Sequence, residues 1–317
     1  MEKITVARNA MATRFEFVLV GESAVRLRAA GEEALDELDR IEAQLSIYRA
    51  GSEIALINAR ASYEPIRVSP EVFALIQRAQ TFSEITGGAF DISVAPLVRC
   101  WGFMKGNGNR PTDGQIAEAR ELVGSQYLEL DESRSTVRFK RAGMMLDLGS
   151  IGKGYALDAA AEVLRDAGVE NALLHGGTST ICALGQDIDG KWKVAIDQPR
   201  LPGASNSPST PQAVVELEND ALSVSAVWGK FFTFEGKTYG HVIDPRTGWP
   251  TESSLLGAIV VDSAADSDAL STAVLLGSET ELARLESSYP ESRFLQATRD
   301  QEKIALRSYN FNLFKPG

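Results

Sequence analysis

Side chains able to handle phosphate fall at several places in this sequence. In DLGSIGKGYALD (147–158), three glycines lie within six residues and Lys153 sits between two of them. Glycines let backbone N–H groups approach an anion, a helix start adds partial positive charge, and Lys153 adds a full one. The stretch is not a Walker A loop, because Lys153 is followed by Gly154 rather than Ser or Thr. Nor is it the dinucleotide GxGxxG, because its spacing is GxxGxG. A glycine-rich strand-to-helix turn that only packs closely fits the same letters. In AADSDALSTAVLLG (264–277), Thr272 follows Asp268 by four residues and Ser271 by three, so the three share one helix face. A carboxylate with two hydroxyls suits a hard cation such as Mg²⁺. Asp, Ser and Thr near a helix start also serve as caps.

YGHVIDPRTGWP (239–250) carries a type I turn in DPRTG, with His241 just before it. Only His175 and His241 occur, and either could titrate near neutral pH as general acid or base, or be structural. TGGAFDISVAPLVRCWGF (86–103) places Phe90 and Trp101 near glycines and Asp91 between apolar neighbours. Such aromatics stack on a flat ring or pack a core.

The elements that must hold these groups are readable from periodicity and punctuation. Residues 14–20 alternate as a strand, and residues 22–45 return apolar side chains at helical spacing. A second helix follows Ser69 and Pro70 and stops at Gly87 and Gly88. A short third covers 112–123. YLELD and TVRFK read as a hairpin around ESRS, and residues 155–167 as a helix ending at Gly168. NALLH, ICALG, WKVAI, AVVEL, ALSVSA, FFTF, GAIVV, RFLQAT and KIALRS read as strands, and 265–276 and 279–287 as helices. Residues 199–212, PRLPGASNSPSTPQ, read as an exposed loop. Helices early, strands in the middle and no steady alternation predict an α+β fold, a mixed or antiparallel sheet flanked by helices. No linker is evident, so residues 1–317 are expected to form one catalytic domain.

The 317 residues are 44% hydrophobic and 24% charged, ordinary for a globular chain, and the net charge of −11 argues against nucleic-acid binding by bulk charge. Two cysteines, Cys100 and Cys182, make neither a disulfide framework nor a zinc cluster. No apolar run approaches a membrane span, and the N-terminus shows no signal peptide or lipid-attachment cysteine. As written, a cytoplasmic location is expected; a trimmed chain would be periplasmic or membrane-associated.

In order, MATRF, LSIYRAGSEIALIN, TGGAFDISVAPLVRCWGF, DLGSIGKGYALD, HGGTSTICALG, YGHVIDPRTGWP and DSDALSTAVLLG resemble the FAD:protein FMN transferases, the ApbE family, from about Met11 to Gly277. The resemblance implies an α+β fold of that family's own kind. It also implies a Mg²⁺-dependent enzyme that cleaves FAD, attaches FMN through a phosphoester to a threonine of a target protein, and releases AMP. Met11, Tyr48, Ala89, Phe90, Asp91, Asp147, Lys153 and Ile243 would contact FAD. Ser150, through its carbonyl, would join Asp268, Ser271 and Thr272 around the metal, and His241 matches the catalytic histidine. MAT stands for the commoner MGT, and Thr178 for a commoner Asp or Asn. No acceptor-like Asp-Gly-x-Ser/Thr-Gly-Ala-Thr segment occurs, so the chain is not expected to modify itself. Alternatives are a metal-dependent FAD pyrophosphatase giving FMN and AMP, and a flavin-binding protein without catalysis.

Overall fold

The computed structural model describes residues 1–104, 106, 108–199, 211–300 and 303–311; most of the loop expected at 199–212 lies outside them. The first part of the chain runs β1 (Glu2–Ala10), β2 (Thr13–Gly21), α1 (Ala24–Leu45), α2 (Glu53–Arg60), β3 (Ile66–Arg67), α3 (Pro70–Ile85), α4 (Ala95–Cys100) and α5 (Asp113–Arg120). It continues through β4 (Leu128–Asp131), β5 (Thr136–Phe139), α6 (Gly152–Asp166), β6 (Asn171–Gly176), β7 (Thr180–Leu184), β8 (Trp192–Ile196), β9 (Ala213–Leu217) and β10 (Ala221–Ala226). It closes with β11 (Phe231–Phe234), β12 (Lys237–Gly240), β13 (Ser254–Val261), α7 (Ala264–Leu276), α8 (Glu279–Ser288), β14 (Arg293–Asp300) and β15 (Lys303–Tyr309).

Side-chain caps fix where the helices start. Ser23 caps α1, Ser52 α2, Ser69 α3 ahead of Pro70, and Thr112 with Gln115 closes a capping box on α5. The expected helices at 22–45 and 112–123 therefore begin one or two residues later, because Ser23 and Thr112 are caps rather than first turns. β1, α2 and α4 have no counterpart in the sequence reading.

Eight strands form one antiparallel sheet in the order β1-β2-β6-β7-β10-β13-β14-β15. Period-2 alternation splits its faces. Phe15, Phe17 and Leu19 of β2 join the core built with α1, α3, α6 and α7, whereas Val20 faces a second core with Trp192, Ile196, Val215 and Leu217 of the β8–β9 pair. A third apolar cluster around Trp101 holds Leu97, Phe103, Ile116, Tyr239 and Ile243.

α7 is buried almost all round, as a helix enclosed by other elements must be. Two glycines let its neighbours press against it. A Cβ on Gly154 of α6 would lie 1.9 Å from the Ala264 carbonyl oxygen, and one on Gly257 of β13 would lie 2.3 Å from the Leu275 nitrogen. The last glycine of GxxGxG thus serves helix–helix contact. Asp158, one turn further along α6, accepts from Ser263 Oγ and from the Ala264 and Ala265 N–H groups, so it caps α7. These contacts set the height at which α7 presents Asp268.

Candidate active site

Asp268 is 4% exposed, yet its carboxylate is fully engaged. Lys153 Nζ lies 3.1 and 3.2 Å from its two oxygens, Thr180 Oγ1 donates at 3.0 Å, and the Gly154 N–H donates at 3.1 Å. The helix of residues 155–167 in fact begins at Gly152, so Lys153 stands in the first turn of α6 and the Gly154 amide is a helix N-terminal donor. The same ammonium lies 3.2 Å from the Gly149 carbonyl oxygen. One cation therefore reaches both the 147–151 turn and α7. The turn carbonyl that does so belongs to Gly149, one residue before Ser150.

Beside Asp268, hydroxyls are linked in series. Ser271 Oγ donates to the Asp268 carbonyl at 2.9 Å, and Ser225 Oγ of β10 lies 2.8 Å from Ser271 Oγ and 3.2 Å from Thr272 Oγ1. Thr180 and Ser225 have no place in the sequence reading. Their roles depend on β7 and β10 lying side by side under α7, which no local pattern reveals. Thr178 is exposed in the β6–β7 turn; Thr180, two residues on, makes the carboxylate contact.

Asp147 accepts the Gly149 N–H at 2.8 Å, and burial pushes its carboxyl up against the pull of that N–H and Lys153. Burial and the nearby Asp147 charge push the Tyr48 phenol up, which places the two in one neighbourhood. Tyr48 is nonetheless 66% exposed, with its hydroxyl donating to the Met104 carbonyl at 2.7 Å. Met11 and Ala12, at φ of 50° and 59°, form the two-residue turn between β1 and β2. Both non-glycine residues hold the left-handed region that such turns require.

Residues 89–91 are structural in their side chains. Ala89 and Phe90 are buried, and Phe90 meets Phe82 edge-on at 6.1 Å. The Asp91 carboxylate accepts from Ser83 Oγ, Ser93 N–H, Ser93 Oγ and Ser125 N–H at 2.6 to 3.0 Å. Four internal bonds make Asp91 a brace. Ile243 lies in the third apolar cluster and bridges to Pro250. A cavity of about 720 Å³ among the described residues is lined by Gly88, Asp91, Arg120, Tyr127 and Arg246, but not by Lys153, Asp268 or His241.

His241 directly follows β12. Its Nδ1 lies 3.1 Å from the Lys230 carbonyl oxygen, which also accepts the His241 N–H at 3.0 Å. A carbonyl only accepts, so Nδ1 carries the proton and Nε2 keeps its lone pair. Burial holds the imidazole below its usual value, opposed by the Lys230 carbonyl and assisted by the Lys230 charge. The ring is thus a neutral base with a defined tautomer. His175 sits on β6 opposite Glu16, also lowered by burial, and is tied to none of these groups.

The two halves are physically joined. Ser225 and Lys230 are five residues apart, at most about 17 Å of extended chain. Arg246, in the turn after His241, donates to Asp244 at 2.7 Å, to Glu281, and to the Leu276 carbonyl at the end of α7 at 2.8 Å. Sequence reading assigned DPRTG a turn but gave Arg246 no part in tying that turn to α7.

The ApbE family model matches residues 11–294. A curated Vibrio cholerae relative named FAD:protein FMN transferase is 30% identical over 286 residues, covering 88% of this chain and 81% of its own. A relative of the same name from Treponema pallidum is 32% identical over 278 residues, covering 83% and 75%. The solved ApbE protein of Thermotoga maritima superposes with a TM-score of 0.86 at 26% identity, covering 98% of this chain and 97% of that one. The apo flavinyl transferase ApbE of Pseudomonas stutzeri gives 0.83 at 28%, covering 98% and 95%. Fold and relatives together make this molecule a transferase. The chain belongs to the ApbE family.

Proposed function

We infer that the chain is a flavin transferase that takes FAD as substrate and a protein as acceptor, as the names of its relatives state for them. The observation that carries this reading is the Lys153 ammonium held between Asp268 and the Gly149 carbonyl, with the His241 ring held through Nδ1 by the Lys230 carbonyl.

The donor set fits a hard divalent cation, Mg²⁺. A positive charge already rests on a carboxylate and a carbonyl, the hydroxyls of Ser271 and Thr272 stand alongside, and every donor is oxygen. Asp268, Ser271 and Thr272 would hold it with a carbonyl of the 149–150 turn, and Ser225 supports the two hydroxyls. When bound, such an ion offsets charge on pyrophosphate oxygens.

The chain's own residues account for the rest. Lys153 and the α6 N-terminus put positive charge beside the pyrophosphate, where it counts most in the transition state. The acceptor is a threonine hydroxyl, a poor nucleophile without a base. Its oxygen bonds to the FMN phosphorus, the bond from that phosphorus to the bridging phosphoanhydride oxygen breaks, and AMP leaves carrying the bridging oxygen. His241 Nε2 takes the hydroxyl proton, and the Lys230 carbonyl holds the ring through Nδ1 while it does so.

Incubation with FAD, Mg²⁺ and a soluble carrier protein bearing Asp-Gly-Ala-Thr-Gly-Ala-Thr tests this. The expected result is a carrier mass gain of one FMN with one AMP released. An unmodified carrier, beside an active relative that modifies it, overturns the reading.

A further inference from the structure

The β11–β12 hairpin pairs with no strand of the large sheet. Alternation gives it two unlike faces. Phe232 stacks on Tyr239 at 5.3 Å and both pack against Trp101, closing the third apolar cluster. On the other face Phe231 stands opposite Gly240, which has no side chain to cover it, and is 40% exposed. Phe234, at the tip, lies on the face of Phe232 and is 45% exposed. These are the only exposed phenylalanines among the described residues.

Single exposed apolar residues are ordinary, but the strand that carries these two begins at Lys230, which contacts the base. Lys230 and Gly240, the residues flanking the hairpin pairing, contact or precede His241 directly. Among the described residues β11 pairs only with β12, which makes its outer edge the template for an added strand. Lys230 is exposed and makes no ion pair among the described residues, leaving its donors available at the same rim. The opposite end of the site offers no comparable entry, since Asp268, Thr180 and Ser271 are buried.

We propose that the acceptor protein docks on this hairpin, its threonine-bearing segment extended along the outer edge of β11 so that its alternating side chains meet Phe231 on one face and Phe234 on the other, and the hydroxyl arrives at His241. The proposal rests on the flavin-transfer reading and specifies which surface selects the protein substrate. The patch is small, as suits a substrate that must leave after each turnover.

The test compares the full wild-type chain with a Phe231→Ala/Phe234→Ala variant, using the same carrier protein. Paired aromatic anchors predict a rise in carrier KM of at least about tenfold, with kcat at saturating carrier, FAD affinity and melting temperature unchanged. An unchanged carrier KM in a variant that binds FAD normally overturns the proposal. A photo-crosslinking amino acid in place of Phe234 should capture the carrier on the hairpin; capture of the carrier elsewhere only also overturns it. A wild-type chain that transfers nothing counts against flavin transfer, whereas crosslinking reads docking independently.

Discussion

Asp268 and His241, the two groups to which the proposed reading gives chemistry, are held in different ways. Three donors from α6 and β7 converge on the Asp268 carboxylate, α7 beneath it is clamped by Gly154 and Gly257, and Asp158 caps its start. His241 has one ring hydrogen bond, donated to a loop carbonyl, and its neighbours are an exposed hairpin and a bare glycine. The difference follows from what each end handles. A charged pyrophosphate needs preset dipoles that do not reorganise, and these must be buried and saturated. A protein hydroxyl must enter and depart, so the base stays at an open rim.

The largest effect should come from breaking the closed end. Asp268→Ala leaves the Lys153 ammonium unpaired and removes the anchor of the cation seat. Transfer should fall by more than about 10³-fold in single-turnover assays, with FAD affinity falling as well. Transfer within a few-fold of wild type would remove Asp268 from the account. Gly154→Ala is next: its Cβ meets backbone rather than a movable side chain, so stability should drop by about 3 kcal/mol in denaturant melts. A melt equal to wild type would show that the α6–α7 clamp is loose.

The open end gives a pH prediction. His241 acts as a base only when neutral, and burial lowers its value below the ordinary 6.5. The acid limb of kcat should therefore fall below pH 6.5, with activity lost as pH drops through it; a limb above 6.5 contradicts the assignment. The smallest effect concerns the β1–β2 turn. Ala12 holds φ of 59°, so Ala12→Gly should stabilise the chain by about 1 kcal/mol, read as a higher urea midpoint with an unchanged slope.

Much of this was legible locally. Ser69 before Pro70 marks a helix start whatever the tertiary context, and α7 is read to within a residue. Asp268 and Thr272 are visible because a helix face is a local property. β1 escapes because an edge strand is half exposed: only Val6 and Ala10 are buried in it, too faint an alternation to stand out. Thr180 and Ser225 escape for a different reason. Each is a hydroxyl in a strand, and only the pairing of β7, β10 and α7 turns it toward Asp268 or Thr272. Asp91 shows the reverse: the family resemblance implies contact with FAD, and in the fold its carboxylate accepts from Ser83, Ser93 and Ser125. Helix starts and faces are written in neighbouring letters; hydrogen bonds between distant strands are not.

The division between a binding end and a proton-accepting end is tested most directly with one variant, His241→Gly. FAD affinity by flavin fluorescence and FMN transfer by carrier mass should be measured on the same sample. Affinity should stay near the wild-type value while transfer falls by about 10²- to 10⁴-fold. Equal losses in both, or normal transfer, would contradict it.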